Sequence, residues 1–418
     1  MFKFIHAADL HLDSPLRGLE RYEGAPVEEI RGASRRAMEN LVALAIEEEV
    51  SFVVICGDLY DGDLRDFGAC RFLHEQMLHL RDAKIPVYTI QGNHDAENRM
   101  TRHLRLPENV HILPTDEVGS EDVLELGVRI IGRGFKERSV TENLAAGYPS
   151  ASSNAFHIGL LHTSVDGREG HDNYAPCSLD DLRAKEYGYW ALGHIHRREI
   201  LCADPPIVFP GNLQGRHIRE SGAKGCELVR VENGRVVHQE SRELDVMRWS
   251  VCHVDASGAE VEDDLRERIR KALELQCQAN SGRLIALRVE IDGSCQVHNL
   301  LADRPETWIN QIRAEARDVG DGRLWVEKVR LRTTPEIEVD SENPAIRAVL
   351  DYLEELRTDE AQLSVFGNEL ADLKKKLPRE LTEGPGALDL DSPARLRVVL
   401  DQIGSSLVRG LLSEGSGP

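Results

Sequence analysis

The 418-residue chain lacks any long apolar segment. No stretch approaches the roughly eighteen apolar residues that a membrane-spanning helix needs. The N-terminus, MFKFIHAADLHL, also lacks the basic region and unbroken apolar core of a secretory signal. We therefore expect neither secretion nor a membrane span. Internal repeats and low-complexity segments are absent from the sequence as well.

Paired cysteines are missing too. The eight cysteines are scattered and form no CxxC pair, at positions 56, 70, 177, 202, 226, 252, 277 and 295. Such wide spacing is not typical of a zinc ribbon, a thioredoxin-like centre or a disulfide framework. We expect reduced, mostly buried thiols in a cytoplasmic protein.

Positive charge is scarce. The chain has 51 Lys and Arg residues against 72 Asp and Glu, which gives a net charge of −21 and a pI near 5.3. A protein that holds DNA through its own surface charge is expected to be basic, so this balance argues against tight, independent DNA binding. The composition, 41% apolar and 29% charged, is that of a soluble globular protein, and the length favours two or three domains.

Short β-rich runs alternate with amphipathic segments over residues 1–246. Apolar residues at helical spacing over 34–49 and 66–83 separate the first three runs, which favours a β-α-β-α-β order. From about residue 225, two alternating runs flank Asn233-Gly234, the turn signal of a β-hairpin. The predicted buried strands cover 2–8, 51–56, 86–91, 156–162, 187–193 and 206–210.

Two further regions follow this first domain. Residues 247–334 have the pattern of a small α+β domain, and no strand is predicted in residues 335–418, which form a helical segment. The predicted elements are strands at the start of the α+β domain and over 284–291 and 324–332, with helices over 260–279 and 304–318, and then tail helices over 343–377 and 393–412.

Polar clusters follow five of the predicted strands. Ligands of an open α/β sheet collect outside the carboxyl ends of the strands, so these clusters should converge in space although they are far apart in the chain. The clusters are Asp9-Leu10-His11, Gly57-Asp58-Leu59-Tyr60-Asp61, Gly92-Asn93-His94-Asp95, His162 and Gly193-His194-Ile195-His196.

The residue types in these clusters predict a metal site. Carboxylate, imidazole and amide oxygen together suit Mn²⁺, Fe²⁺ or Zn²⁺, whereas an all-oxygen shell would favour Mg²⁺ or Ca²⁺. Any one motif alone is more often a capping or core residue, but five in order at strand ends argue against coincidence. Seven candidate ligands suit two ions that share a bridging carboxylate. They are Asp9, His11, Asp58, Asn93, His162, His194 and His196.

The order DxH, GDxxD, GNHD, distal histidine and GHxH resembles the calcineurin-like metallophosphoesterases. Within that family, ADLHLDSPLRG, VICGDLYD, IQGNHD, LGHIHRREI and FPGNLQGRHIRE are similar to bacterial SbcD-type DNA repair exonucleases, especially the YhaO branch. The resemblance is strong over about residues 1–245, weaker over the α+β domain and only architectural in the tail. It implies an α/β fold, a metallophosphoesterase β-sandwich flanked by helices, with a small α+β capping domain and a helical C-terminal segment.

The resemblance also implies roles for individual residues. His94 corresponds to the family's non-ligand histidine, which faces the scissile phosphate and assists the departing oxygen or the transition state. A histidine beside two dications is suited to proton transfer near neutral pH. Two ligand sets are implied, with Asp58 as the bridge: Asp9, His11, Asp58 and His196 for one ion, and Asp58, Asn93, His162 and His194 for the other.

Two further aspartates have alternative interpretations. Asp95 either orients His94 from behind or stabilises the local turn, and turn stabilisation is the commoner role. Asp61 occupies the position of a second phosphate-facing histidine in some archaeal and eukaryotic relatives, and the SbcD-like members have Asp there as well. A two-histidine phosphate contact is therefore not carried over to this chain.

Basic residues are concentrated just after the GHxH motif. Arginine is the usual partner of phosphate oxygens, but it is also a common surface residue. Both a contact to the DNA backbone and a solvated basic face are compatible with the pattern. The residues are Arg197, Arg198, Arg216, His217 and Arg219, of which Arg197, Arg216 and His217 are our candidates for substrate binding.

The leading functional hypothesis is a Mn²⁺-dependent phosphodiesterase acting on DNA. The resemblance implies 3′→5′ exonuclease activity, together with endonuclease activity, in a nuclease subunit that works with an SbcC-like coiled-coil ATPase. The capping domain over 247–334 would help to hold DNA. The expected cofactors are two Mn²⁺ ions, with Fe²⁺, Zn²⁺ or Mg²⁺ as the alternatives. One alternative function keeps the metal site but acts on a small phosphodiester or a phosphomonoester such as a nucleotide. Another is a scaffold with a vestigial site. Segments 66–83 and 96–106 would either form a homodimer interface or pack internally.

The tail is the more acidic part of the chain per residue. It has 9 Lys and Arg against 17 Asp and Glu, a net charge of −8, whereas the rest has 42 against 55, a net charge of −13. This balance favours protein docking over DNA contact. Leu350, Leu353, Leu356 and Leu363 lie on one side of the predicted helix, and they would either dock onto the ATPase or pack within their own domain.

Overall fold

The computed structural model describes most of the chain. None of its described helices is long and apolar enough to cross a membrane. The described residues are 1–14, 25–61, 67–97, 106–152, 155–167, 174–280, 282–336, 344–370, 376, 396–397 and 400.

The elements alternate along the chain as the sequence pattern predicts. The strands are β1 (Phe2–Ala7), β2 (Phe52–Cys56), β3 (Val87–Ile90), β4 (Val110–Ile112), β5 (Gly119–Val123), β6 (Val128–Gly132), β7 (Phe156–His162), β8 (Tyr189–Gly193), β9 (Glu199–Ala203), β10 (Pro206–Phe209), β11 (Gly225–Glu232), β12 (Arg235–Glu243), β13 (Met247–Asp255), β14 (Leu284–Cys295) and β15 (Leu324–Pro335). The helices are α1 (Val27–Arg31), α2 (Ala33–Glu47), α3 (Gly68–Asp82), α4 (Asn93–Glu97), α5 (Leu179–Arg183), α6 (Glu262–Ala279), α7 (His298–Asp303), α8 (Pro305–Gly320), α9 (Pro344–Thr358) and α10 (Glu360–Glu369).

Two six-stranded mixed sheets form the first part of the fold. Their strand orders are β12-β11-β1-β2-β3-β4 and β5-β6-β7-β8-β10-β9. The central strands β1, β2 and β3 run parallel in the first sheet, and β6, β7 and β8 run parallel in the second. This is the mixed α/β architecture that the sequence predicts.

Alternation within the strands builds a separate core on each face of a sheet. In β1, Phe2 and Phe4 belong to the core between the two sheets, whereas Ile5 packs with the residues of α2 and α3 on the outer face. The ring of Phe4 stacks on that of Phe52 at a centroid distance of 5.2 Å. Because both faces of the strand are buried, its sequence is an almost continuous apolar run.

The missing side chain of a glycine makes room for the largest residue of the second sheet. Gly159 of β7 lies beside Trp190 of β8, and a Cβ atom on Gly159 would overlap the indole ring. Trp190 is fully buried and its Nε1 donates to the carbonyl oxygen of Leu182 at 3.0 Å. Glycine therefore makes room for the indole that covers this face of the sheet.

All six predicted buried strands of the first domain are confirmed, as is the hairpin. Asn233 and Gly234 have φ values of 51° and 70°, the left-handed conformation that a two-residue hairpin turn of type I′ needs. Strands β4, β5, β6 and β9 were not predicted. Three of them are at sheet edges, where one side faces solvent and the apolar pattern disappears.

The chain divides into two compact units that interleave in sequence. One comprises Met1–Cys252, Ala272–Val289 and Ile312–Val329, and the other comprises His253–Lys271, Glu290–Gln311 and the described part of Arg330–Pro418. Strands β13, β14 and β15 form a three-stranded sheet. The proposed domain limits at 246/247 and 334/335 stay predictions.

The tail differs from its prediction in one respect. Helical periodicity is predicted over 343–377, and the structure has two helices there, separated at Asp359, whose Oδ1 accepts the N–H of Gln362 in the first turn of α10. Leu356 and Leu363 are buried with Leu396 and Leu400. These two leucines therefore pack within the tail itself, whereas most of the predicted helix over 393–412 and residues 98–105 of the segment 96–106 lie outside the described residues.

The contact between Gly159 and Trp190 predicts that the same Gly→Ala substitution affects stability differently at two positions. Gly159→Ala should lower the free energy of unfolding by about 1–3 kcal/mol, because the added methyl overlaps the indole. Urea denaturation of the purified protein measures this effect.

Gly147→Ala is the matched control. A Cβ atom there would meet Val118 at an ordinary 3.6 Å, so the free energy of unfolding should change by less than about 1 kcal/mol. Equal losses of stability in the two variants would contradict the role given to Gly159.

Candidate metal centre

The candidate ligands gather at the carboxyl ends of strands from both sheets. Asp9 follows β1, Asp58 follows β2 and Asn93 follows β3 in the first sheet, while His162 ends β7 and His194 follows β8 in the second. Donor atoms of Asp9, Asp58 and His162 lie within 4.8 Å of one another. The predicted convergence is therefore present in the structure.

Four of these residues have a left-handed backbone. The φ values are 53° for Asp9, 43° for His11, 52° for Asp58 and 97° for His194. A side chain that is not glycine rarely adopts this conformation, and each instance costs on the order of 1–3 kcal/mol unless the surroundings enforce it. Such strain at four neighbouring polar residues is typical of a functional site.

Imidazole nitrogens from distant parts of the chain face each other. The Nε2 atoms of His11 and His196 lie 3.1 Å apart. Two nitrogens that are each about 2.1 Å from one ion lie roughly 3.0–3.4 Å apart for bond angles between a right angle and the tetrahedral angle, so this spacing fits a shared ion. Donor atoms of Asp9, His11 and His196 lie within 4.8 Å of one another and could hold that ion together.

A second set of donors surrounds His162. Its Nε2 atom lies 2.9 Å from Asn93 Oδ1 and 3.5 Å from Asp58 Oδ2. The ring of His194 meets that of His162 edge-on at 5.2 Å between centroids, and the backbone N–H of His194 donates to both carboxylate oxygens of Asp9. All seven candidate ligands are thus brought together.

Asp58 lies between the two sets. Its Oδ2 atom is 3.8 Å from His11 Nε2 and 3.5 Å from His162 Nε2, as a bridging carboxylate requires. Its Oδ1 atom accepts the backbone N–H of His94 at 2.9 Å. A Cβ atom on Gly92 would overlap the Asp58 carboxylate, so glycine is needed at this position of the GNHD motif.

Each of three imidazoles is held at its second nitrogen. His11 Nδ1 lies 2.6 Å from Asp61 Oδ1, His196 Nδ1 lies 2.7 Å from Glu220 Oε1, and His162 Nδ1 lies 2.9 Å from the carbonyl oxygen of Cys56. An acceptor at Nδ1 favours the tautomer with the proton there and the Nε2 lone pair facing the site, but Arg216 Nη2 also lies 3.0 Å from His196 Nδ1. This is the usual arrangement behind metal-binding histidines.

Burial and mutual repulsion shift the pKa values of the carboxylates. Burial raises the pKa of Asp9 to about 7, and the nearby Asp58 carboxylate adds to the increase. Burial also opposes ionisation of Asp58, but His162 and His11 outweigh it and hold the Asp58 pKa below its usual range. Carboxylates this crowded are expected where cations are bound.

The same surroundings shift the pKa values of two imidazoles in opposite directions. Burial lowers the pKa of His196 to about 3, although Glu220 opposes the change. Burial has the same effect on His162, but the Asp58 carboxylate outweighs it and raises the pKa to about 9. Because a metal ligand must be the neutral ring, an ion bound beside Asp58 would have to displace a proton from His162.

His94 stands at the open side of the group. Its side chain is 31% exposed, and its Nδ1 atom lies 3.7 Å from Asp61 Oδ1. The geometry also groups its donor atoms with those of His11 and Asp58 within 4.8 Å. Asp95 accepts the backbone N–H groups of Tyr60 and Gly92, which supports the turn-stabilising interpretation.

The candidate substrate-binding residues are placed differently from one another. Arg197 and His217 are exposed. Arg216 is largely buried, with its guanidinium bonded to Glu220 at 2.9 Å and to Asp61 at 3.3 Å. A substrate contact by any of the three stays a prediction.

Sequence reasoning missed Glu220. This buried residue accepts hydrogen bonds from Asn212 Nδ2 at 2.9 Å and from Arg216, in addition to its contact with His196. It lies in the segment FPGNLQGRHIRE, where an isolated glutamate among arginines resembles an ordinary surface residue. Its role is visible only once the fold places it behind His196.

Comparisons with known families agree with this geometry. Residues 2–198 match the family of calcineurin-like phosphoesterases, and residues 249–334 match the middle domain of metallophosphoesterase YhaO.

Two individual relatives are similar in sequence to this chain. The chain is 40% identical over 260 residues to the uncharacterized metallophosphoesterase YhaO of Bacillus subtilis, covering 61% of this chain and 64% of that protein. It is 24% identical over 295 residues to the SbcD subunit of the nuclease SbcCD from Staphylococcus epidermidis, covering 64% of this chain and 75% of the relative. The matched part thus spans less than two thirds of the length of the Bacillus relative.

Two solved structures share 14% sequence identity with the chain. A dimetal phosphatase from Danio rerio has a TM-score of 0.38, with 58% of this chain and 96% of that chain covered. The protein TT1561 of Thermus thermophilus has a TM-score of 0.34, with 57% and 98% covered.

The family matches, the similarity to YhaO and the gathered carboxylates and imidazoles lead to one conclusion. Residues 2–198 match the calcineurin-like phosphoesterases, and the chain is YhaO-like with a weaker similarity to the SbcD nuclease subunit.

Proposed function

We propose that this chain is a Mn²⁺-dependent DNA phosphodiesterase, with 3′→5′ exonuclease and endonuclease activity, that works with an SbcC-like coiled-coil ATPase. The observation that carries the proposal is the length of the similarity to the SbcCD nuclease subunit. That alignment covers 295 residues, more than the catalytic match at residues 2–198 contains. A similarity that continues past the catalytic domain favours a large substrate over a small nucleotide.

The donor set fits two divalent ions. Asp9, His11, Asp58 and His196 would hold one ion, and Asp58, Asn93, His162 and His194 the other. Two observations support this assignment. The carboxylates are buried, so their negative charge needs compensation, and the imidazoles have Nε2 facing inward. When bound, two such ions would polarise the phosphoryl oxygens of a substrate and lower the pKa of a bound water molecule.

His94 supplies the proton in this proposal. Its backbone N–H is fixed by Asp58, and Asp61 lies 3.7 Å from Nδ1, so we assign Nε2 as the atom that would face the substrate. From there the imidazolium donates a proton to the departing oxygen. Burial lowers the pKa of His94 and the Asp58 carboxylate opposes that change.

The direct test is a nuclease assay on purified protein with Mn²⁺. Double- and single-stranded DNA carrying a label at either end should be shortened from the 3′ end, alone or with the ATPase added. Asp58→Asn should abolish the activity, since it weakens the ligand shared by both ions.

Two outcomes would contradict the proposal. Intact DNA in the presence and absence of the ATPase would remove the nuclease function. Rapid turnover of bis(p-nitrophenyl) phosphate or a cyclic nucleotide with no DNA cleavage would favour the alternative of a small substrate.

Replacing His94 separates catalysis from metal binding. His94→Gln should lower kcat by about 10²–10⁴-fold, the usual contribution of a positioned general acid, while two ions per chain remain bound. Steady-state kinetics and metal analysis of the same preparation measure both quantities. Loss of an ion from this variant would show that His94 is a ligand.

Arg197 tests the contact to the DNA backbone. Because it is exposed and follows the GHxH motif, Arg197→Ala should weaken DNA binding and reduce the slope of log K against log salt by about one. Fluorescence anisotropy at several salt concentrations measures the slope. Arg129→Ala, which removes a surface arginine paired with Asp122, is the control and should leave the slope unchanged.

A further inference from the structure

An exposed arginine lies in the loop that follows β6, close to the candidate metal centre. We propose that this residue, Arg138, binds a phosphate of the DNA strand next to the phosphate that is cleaved. It thereby favours a polynucleotide over a substrate with a single phosphate. The inference rests on the proposed function, because it assigns a further contact to the same substrate at the same site.

The loop after β6 packs against the candidate ligands. The ring of Phe135 meets the ring of His162 edge-on at 5.4 Å between centroids. Phe135 and Val140 also share a buried core with Ala96 of α4, the helix that begins at the GNHD motif. Close packing fixes both apolar residues of the loop, so Arg138, which lies between them in the sequence, is held near the site.

Two partners orient the guanidinium of Arg138. Its Nη1 atom donates to Glu97 Oε1 at 2.7 Å, and the side chain of Tyr174 is a second hydrogen-bond partner. The ring of Tyr174 lies 5.6 Å from the ring of His194 between centroids. With a hydrogen bond of roughly 3 Å at the phenol oxygen, the guanidinium lies within about 12 Å of the centre of the His194 ring. A strand whose cleaved phosphate is bound at the ions can therefore present a neighbouring phosphate to Arg138.

The guanidinium has donors left for a substrate. The side chain of Arg138 is 54% exposed, whereas Arg216 is largely buried and bonded to Glu220. A guanidinium has more N–H groups than two contacts use, and its planar fork suits phosphate oxygens. An exposed ion pair also contributes little stability, so a phosphate can displace Glu97 at small cost.

A purely structural role is the competing explanation. In that case Arg138 would serve only to hold Tyr174 against His194, and its loss would disturb a candidate ligand. The kcat would then fall for every phosphodiester. Loss of a phosphate contact would instead raise the KM, and only for substrates with more than one phosphate. Substrate length therefore separates the two explanations.

The test compares two substrates of the full-length protein with Mn²⁺, in the presence of the ATPase. One is a single-stranded oligonucleotide, and the other is thymidine 5′-(p-nitrophenyl) phosphate, a diester with a single phosphate. Arg138→Ala should raise the KM for the oligonucleotide by about 10-fold, the usual effect of losing a charged hydrogen bond, with kcat unchanged. Both constants should be unchanged for the small diester.

Two further variants serve as controls. Arg138→Lys keeps the charge but not the planar fork, so it should recover part of the lost affinity for the oligonucleotide. Arg129→Ala also removes an exposed arginine paired with a carboxylate, that of Asp122, and it should leave the KM for both substrates unchanged. Metal analysis verifies that each variant binds as many ions as the wild type.

The outcomes separate this inference from the proposed function. If the wild type cleaves both substrates, an unchanged KM for the oligonucleotide in Arg138→Ala, or a lower kcat on both substrates, would overturn the inference alone. An equal rise of the KM in Arg129→Ala would also overturn it, since any surface charge would then have the same effect. A wild type that leaves the oligonucleotide intact would overturn the proposed DNA cleavage and the inference with it.

Discussion

The left-handed backbone at the strand ends is the constraint on which the site depends. A strand that continued as a strand would carry Asp9 and Asp58 away from the opposite sheet. The reversed φ values turn both side chains inward instead. This conformation is unfavourable by itself, so the well-packed cores on both faces of the sheets have to enforce it.

Electrostatics adds a second requirement. Five buried carboxylates lie in or directly behind the group of ligands, and among the described residues Arg216, Lys224 and the His162 imidazole, whose pKa is raised, contact it as positive side chains. Excess buried negative charge is unfavourable unless cations compensate it. Packing therefore favours the folded geometry, and bound cations would relieve the remaining excess of negative charge. The five carboxylates are those of Asp9, Asp58, Asp61, Asp95 and Glu220.

Much of this arrangement could be predicted from the sequence because buried parallel strands and their terminal motifs are local features. The run FVVIC followed by Gly57-Asp58 shows both at once. Edge strands such as β5 could not be predicted, since half of their surface is solvated and their composition is polar. The role of Glu220 could not be predicted either, because its contact with His196 is visible only in the folded structure. The break at Asp359 is a capping effect that helical periodicity does not reveal.

The negative net charge then limits how a polyanion could reach such a site. At physiological salt, charges more than about 8 Å apart are largely screened, so the −21 of the whole chain matters less than the residues around the opening. There Arg216 is paired internally. In the proposed function, bound ions and exposed side chains such as Arg197 would contact phosphate. So few phosphate contacts would mean weak binding of duplex DNA and a shallow salt dependence. A partner that binds the duplex would then supply the affinity, while the site would supply the chemistry.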